Sequence, residues 1–152
     1  MNKFESIEEI LNFAINSEQE AVDFYKSLAD RQNNSHIRAM FLEFAGEEVK
    51  HKARLMQIKQ DGVFDMETSE NVPDLKISDY VVGVKPSAAM NYSDALVLAM
   101  NKEKAAFKLY MALSERTSNL QLKEAFKVLA IEESKHKLRF EIEYDEHVMR
   151  EN

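Results

Sequence analysis

Two short stretches carry the residues that could do chemistry. Phe41 to Arg54, FLEFAGEEVKHKAR, holds Glu48 and His51 three residues apart; Phe126 to Arg139, FKVLAIEESKHKLR, holds Glu133 and His136. On a helix, residues i and i+3 share a face about one turn apart, so a carboxylate and an imidazole at that spacing can grip one metal ion. A lone Glu-x-x-His pair is weak evidence in a chain with 27 acidic residues and 4 histidines, where two solvated side chains on a polar face explain it equally well. Each pair, however, follows another glutamate at one interval: Glu18 precedes Glu48 by 30 residues, and Glu103 precedes Glu133 by 30. A shift of 85 carries Glu18, Glu48 and His51 onto Glu103, Glu133 and His136.

The same offset relates the surrounding sequence. Residues 14–58 and 99–143 share 16 identities in 45 positions, where ordinary residue frequencies give about three. The chain is therefore built on a duplicated unit, paired about an approximate two-fold axis. The identities include Ala21 with Ala106, Tyr25 with Tyr110, Phe41 with Phe126 and Lys50 with Lys135.

The elements that must position these residues are long helices. Ser6-Ile-Glu-Glu9 is a capping box, and Ile7, Ile10, Leu11, Ala14, Ala21, Phe24, Tyr25 and Leu28 recur at helical spacing to about Arg31. Gln32 to Ser35 supplies a short turn with an Asn cap. The period then resumes through Phe41, Phe44, Val49, Leu55 and Ile58 and stops near Asp61-Gly62, where glycine can take the left-handed closing position. Periodicity fails over Val63 to Tyr92, which holds Pro73, Gly83 and Pro86 and room for a short helix near Asp74 to Val82. Ser93 is expected to cap a third helix reaching about Thr117, and Ser118-Asn-Leu-Gln121 reads as a second capping box for a helix ending near Val148. The expected class is all-α: an antiparallel four-helix bundle of the ferritin-like kind in one domain. Hairpin one covers about 6–61, a long crossover about 62–92, and hairpin two about 93–149. Such a crossover lets the second and third helices point the same way; an interaction loop or a swapped hinge is the competing reading.

Glu18 and Glu48 each lie about 15 residues from the turn between them, so at about 1.5 Å rise per residue they face one another some 22 Å from it. Glu103 and Glu133 straddle residue 118 alike. Packing two such hairpins brings four carboxylates and two imidazoles to mid-bundle, an arrangement known from dinuclear carboxylate bundles. Two divalent cations supply +4 against −4, and their binding is expected to release protons and stiffen the fold. Glu48 and Glu133 are expected to bridge, with Glu18 and Glu103 as terminal ligands and one histidine on each ion. Carboxylate with imidazole suits iron and manganese, and zinc fits as well. Tyr25 and Tyr110, seven residues after Glu18 and Glu103, lie on the same faces and either donate hydrogen bonds to the ligating carboxylates or fill the core. Glu47 and Glu132 repeat too, but the adjacent position turns away by about 100°. His36 and His147 have no repeat partner and read as surface histidines.

Composition narrows the function classes. A net charge of −7 argues against the clustered basic surface that nucleic acid or an anionic membrane requires. The absence of cysteine excludes thiolate and iron–sulfur ligation within these residues. With no 18-residue apolar run and no signal-like N-terminus, a cytoplasmic protein is expected.

The pattern Glu18-x-x-Ala21-x-x-Phe24-Tyr25 with Glu48-x-x-His51, and again Glu103-x-x-Ala106-x-x-Leu109-Tyr110 with Glu133-x-x-His136, resembles the rubrerythrin group of ferritin-like di-iron proteins. The resemblance implies two iron ions, oxidoreductase activity on peroxide or O₂ of the kind used against oxidative stress, and a homodimer. It also marks two departures. Rubrerythrins proper have an extra glutamate three residues after the third-helix ligand, where this chain has Ala106, and a four-cysteine rubredoxin domain that these residues lack. Electrons would then come from a separate protein such as a rubredoxin or a reductase. The alternative is a non-catalytic protein that holds iron, zinc or manganese for structure, sensing or delivery.

Overall fold

The structure is a computed structural model that describes residues 3–62, 75–87 and 89–151. Among these residues lie four α-helices and one short 3-10 turn: α1 (Ile7–Asp30), α2 (Ser35–Asp61), the turn Ile77–Asp79, α3 (Tyr92–Arg116) and α4 (Leu120–Glu151). The chain divides into two compact units, one built on α1 and α2, the other on α3 and α4.

In the first unit the caps fall where side-chain chemistry directs. The Ser6 hydroxyl accepts the Glu9 backbone N–H at 3.0 Å and starts α1. Asn34 accepts from the N–H groups of His36 and Ile37 and starts α2, relieving orphan donors of the first turn. Gly62 closes α2 at φ 64°, a left-handed conformation that costs glycine nothing, and its N–H returns to the Ile58 carbonyl. α1 buries Ile10, Leu11, Ala14, Ala21, Val22, Tyr25 and Leu28, and α2 buries Phe41, Phe44, Ala45, Leu55 and Ile58. Each large side chain so buried contributes about 1.5–3 kcal/mol of transfer free energy. The antiparallel register is pinned by Lys52 Nζ donating to Gln19 Oε1 at 2.8 Å and, seven residues along both helices, by Lys59 Nζ donating to Asn12 Oδ1 at 2.6 Å.

The second unit repeats the hairpin and is tied at both ends. At the turn, Ser114 Oγ donates to the Lys123 carbonyl at 3.0 Å while Lys123 Nζ donates to the Ser114 carbonyl at 2.9 Å. At the far end, the Tyr92 hydroxyl donates to Glu143 Oε2 at 2.6 Å.

Three boundaries differ from expectation. α3 is capped by Asn91, which accepts the Asp94 N–H at 2.8 Å, and not by Ser93. Both residue types cap well, and the earlier start draws Tyr92 into the helix, from which it reaches Glu143. α4 is capped by Asn119, accepting the Leu122 N–H at 3.0 Å, while Thr117 Oγ1 accepts the Asn119 N–H at 3.2 Å; the cap thus sits one residue later than the expected Ser118 box. Asn119 occupies the position that Asn34 holds in the first hairpin, so the duplication preserved the cap. The short helix expected near Asp74 to Val82 is a 3-10 turn over Ile77–Asp79; residues 63–74 of the expected crossover, Asp74 among them, lie outside the described residues.

Candidate metal centre

Each hairpin carries one triad on its buried face. In the first, Glu18 comes from α1 and Glu48 and His51 from successive turns of α2; in the second, Glu103 comes from α3 and Glu133 and His136 from α4. The stripe that buries the apolar residues is the stripe that buries the triads. Glu18 follows Ile10, Leu11 and Ala14 at helical spacing, and Glu48 and His51 fall between Phe44 and Leu55. All six residues are only 1–3% exposed.

The donor atoms within each triad converge. His51 Nδ1 is 3.0 Å from Glu48 Oε1 and 3.4 Å from Glu18 Oε2. His136 Nδ1 is 3.6 Å from Glu103 Oε2 and 3.8 Å from Glu133 Oε1. Nitrogen and oxygen ligands about 2.0–2.2 Å from a common ion lie roughly 3.0–3.5 Å apart across octahedral or tetrahedral angles, so the first triad has the span of a coordination sphere and the second is slightly wider. The contact between Glu18 and His51 also confirms that residues on opposite strands of the hairpin share one level, as the distance from the turn predicts.

The donor chemistry fits a divalent cation. Two carboxylates and one imidazole, all removed from water, place more negative charge in each hairpin than a single imidazolium can balance, and buried charge of that kind is costly unless a cation compensates it. Within each hairpin the candidate ligand atoms of the triad lie within 4.8 Å of one another, the spacing of a metal-binding group. The set is hard oxygen with borderline nitrogen, the preference of iron and manganese, with zinc admissible.

Other residues singled out by sequence fall as follows. Tyr25 and Tyr110 are fully buried on the same helices as Glu18 and Glu103. Glu47 and Glu132 are partly exposed, turned off the triads as the helical angle requires. His36 is exposed, whereas His147 is partly covered, with the Tyr92 ring set edge-on at 4.8 Å, so its reading as a plain surface histidine is corrected.

Sequence reasoning missed one buried acid. Glu143 is 5% exposed, accepts the Tyr92 hydroxyl, and is met at 3.1 Å by the Arg150 guanidinium. Burial, the hydrogen bond and the carboxylate's charge all hold the Tyr92 phenol well above its ordinary value, with burial the largest cause. The available signal was position: Glu143 continues the buried stripe Leu129, Glu133, His136 and Phe140. Its counterpart in the first hairpin is Ile58, so the repeat gave no warning.

No helix among the described residues is long and apolar enough to cross a membrane. The fold resembles that of a Thermotoga maritima protein described as a ferritin-like diiron-carboxylate protein, at 22% identity and a TM-score of 0.74 over 97% of this chain and 99% of that one. It also resembles a hypothetical protein from Pyrococcus furiosus, at 28% identity and a TM-score of 0.72 over 92% and 89% of the two chains. Both likenesses extend across nearly the full set of helices and show the ferritin-like all-α fold. No curated protein matches the chain. The rubrerythrin family model matches residues 9–89 and 94–151, spans that contain both triads and most of the chain, and the protein belongs to the rubrerythrin family.

Proposed function

We propose that the two triads together hold a di-iron centre and that the protein is an oxidoreductase reducing peroxide or O₂ with electrons from a separate donor protein. The observation that carries this reading is the pair of buried Glu, Glu, His triads, one in each repeat, each with its imidazole within 4 Å of both carboxylates. When bound, the irons supply the electrons and polarise the oxygen species. The chain's own residues bind and orient. Glu18, Glu48 and His51 would hold one ion and Glu103, Glu133 and His136 the other. The Tyr25 and Tyr110 hydroxyls steady the carboxylates by donating to them. The buried stripes on both sides of each triad, including Leu11, Phe41, Leu96 and Phe126, keep bulk water from the ligands. With no cysteine in the 152 residues, no rubredoxin-type iron site feeds electrons from within them, which is why the donor is placed on another protein, a rubredoxin or a reductase.

Ala106 favours a second reading. It stands where the fuller rubrerythrin pattern has a further glutamate, so the site has one carboxylate fewer for ligand exchange, as suits a protein that holds iron, zinc or manganese without turnover. One experiment separates the two. Protein purified without added metal, and again after anaerobic ferrous loading, is analysed for metal content and then mixed with peroxide while the absorption spectrum is followed. Two irons per chain, an oxo-bridged ferric band within seconds and turnover with added reductant support the oxidoreductase. Tightly held zinc, or iron inert to both peroxide and air, assigns the holding role instead.

A further inference from the structure

Hairpin one holds two positive charges that the metal chemistry does not use. Lys52 and Lys59 both reach from α2 across to α1, Lys52 Nζ donating to Gln19 Oε1 at 2.8 Å and Lys59 Nζ to Asn12 Oδ1 at 2.6 Å. Both acceptors are neutral amides, which orient an ammonium without answering its charge, and among the described residues neither lysine forms an ion pair. Asp23 and Asp61, on the same two helices, accept from the amides of Gln19 at 3.0 Å and Gln57 at 2.7 Å, and Glu8 and Glu20 at the outer margins of α1 are exposed. Asn12 and Gln19, like Lys59 and Lys52, are seven residues apart, so the two ammonium groups stand about 10.5 Å from one another along the helices. Beside Lys59 the surface is hollowed into an open groove of about 510 Å³, lined by Asn12, Ile15, Asn16, Met56, Lys59 and Gln60. Met56, 51% exposed, lies one turn from either lysine and with Ile15 gives the space between them an apolar wall.

The second hairpin supplies the comparison. At the 85-residue offset Lys52 becomes Lys137, Met56 becomes Glu141, Lys59 becomes Tyr144 and Gln60 becomes Asp145. There Lys137 Nζ is paired with Glu141 Oε2 at 3.0 Å, an ion pair between successive turns of one helix. Of the two ammonium groups, hairpin two has therefore neutralised one and lost the other. Hairpin one keeps both, with an apolar side chain where the neutralising carboxylate would stand. A charge left open at each end and an apolar wall between them together suit an anion with two charged ends and a hydrocarbon middle.

We propose that this groove binds an aliphatic α,ω-dicarboxylate, with one carboxylate on Lys59, the other on Lys52 and the methylenes laid over Met56 and Ile15. At Lys59 the amide N–H groups of Asn12, Asn16 and Gln60 complete the carboxylate's hydrogen bonds, since Asn12 uses only its oxygen on the lysine. With C–C bonds of about 1.5 Å in an extended zigzag, a diacid with about six methylenes holds its carboxyl carbons roughly 9 Å apart and spans the gap between the two ammonium groups. A much shorter diacid cannot reach both, and a fatty acid of equal length uses only one.

The test is a titration of octanedioate into the full chain, followed by NMR at the methionine methyls and the side-chain amides. The Met56 methyl and the amides of Asn12, Asn16 and Gln60 are expected to shift together to saturation. Octanoate, with one carboxylate, and butanedioate, which is too short, are each expected to bind more weakly by about fivefold, the upper end of what one exposed ion pair contributes. Lys52→Met and Lys59→Met are expected to weaken octanedioate by about the same factor; methionine matches lysine in helix propensity, so these variants keep the fold. Met56→Glu gives Lys52 the partner that Lys137 has and is expected to abolish binding. Absence of a saturable shift in the wild type overturns the proposal. So does octanoate binding as tightly as the diacid, and so do shifts that persist unchanged in either lysine variant.

Discussion

Substituting Glu133 by Gln should invert its effect on stability between the metal-free and metal-loaded protein. The carboxylate is 1% exposed, and His136 Nδ1 lies 3.8 Å from it, the longest of the imidazole-to-carboxylate distances in the two triads. Keeping such a charge out of water costs several kcal/mol after relaxation. An imidazolium at that distance returns at most about 4 kcal/mol at an effective dielectric constant of about 20, and a neutral imidazole returns far less. Glu103, Glu133 and His136 bring ligand atoms within 4.8 Å of one another, so two carboxylates share one imidazole; without a cation that crowding costs about 1–3 kcal/mol, which an isosteric neutral amide relieves. For a chain of 152 residues, a change of about 2 kcal/mol moves the Tm by roughly 4–8 °C. Calorimetry in chelator should thus show Glu133→Gln melting above the wild type by about that much. After anaerobic ferrous loading the order should reverse, because stabilisation by a ligand follows its affinity and the variant has lost a charged donor; a hundredfold loss in affinity removes about 2.7 kcal/mol. A metal-free variant that melts below the wild type and gains as much from iron would refute the reasoning, and would make Glu133 a structural hydrogen-bond acceptor and not a ligand.

Three further outcomes follow from the same structure. His51→Ala and His136→Ala should each halve the bound metal, measured by elemental analysis, since each imidazole belongs to a separate triad, and the double variant should retain almost none. Tyr92→Phe leaves buried Glu143 with the half-exposed Arg150 alone and should lower stability by about 1.5–3 kcal/mol in denaturant melts. Because the folded Tyr92 titrates above its ordinary value of 10.0, its contribution is intact below that pH and is lost as pH rises past it, when the unfolded phenol ionises and the folded one does not. The wild type should therefore lose more stability than Tyr92→Phe between pH 9.5 and 11, roughly the window around the unfolded tyrosine value. Gly62→Ala places a Cβ at φ 64° and should cost about 1 kcal/mol or somewhat more, seen as a lower urea midpoint with an unchanged slope.

The site was more legible than the ends of the elements, for a physical reason. Two carboxylates and an imidazole that converge on one buried level of a helical hairpin must recur at fixed intervals, so Glu18, Glu48 and His51 and their counterparts 85 residues on stand out in the linear order. Cap choice is a contest between near-equals. Asn91 and Ser93 both offer an oxygen to the first turn, and the difference between them is settled by what the longer helix can reach, here the Tyr92 to Glu143 contact. Glu143 stayed hidden because a single glutamate on a helix is ordinary, and only the burial of its face gives it meaning.

By itself, then, the order of residues determined the all-α class, the duplication, the caps at Ser6, Asn34 and Gly62 and the identity of the triads, because these follow from local hydrogen bonding and from helical periodicity. Tertiary structure alone decided how closely the donors approach, that Glu143 is buried with Tyr92 and Arg150, and which apolar residues remain outside. Leu42 and Phe41 are adjacent in the chain and equally apolar, yet one is 46% exposed and the other fully covered. Burial depends on which face of a helix meets its neighbour, a relation between segments distant in sequence that no local pattern contains.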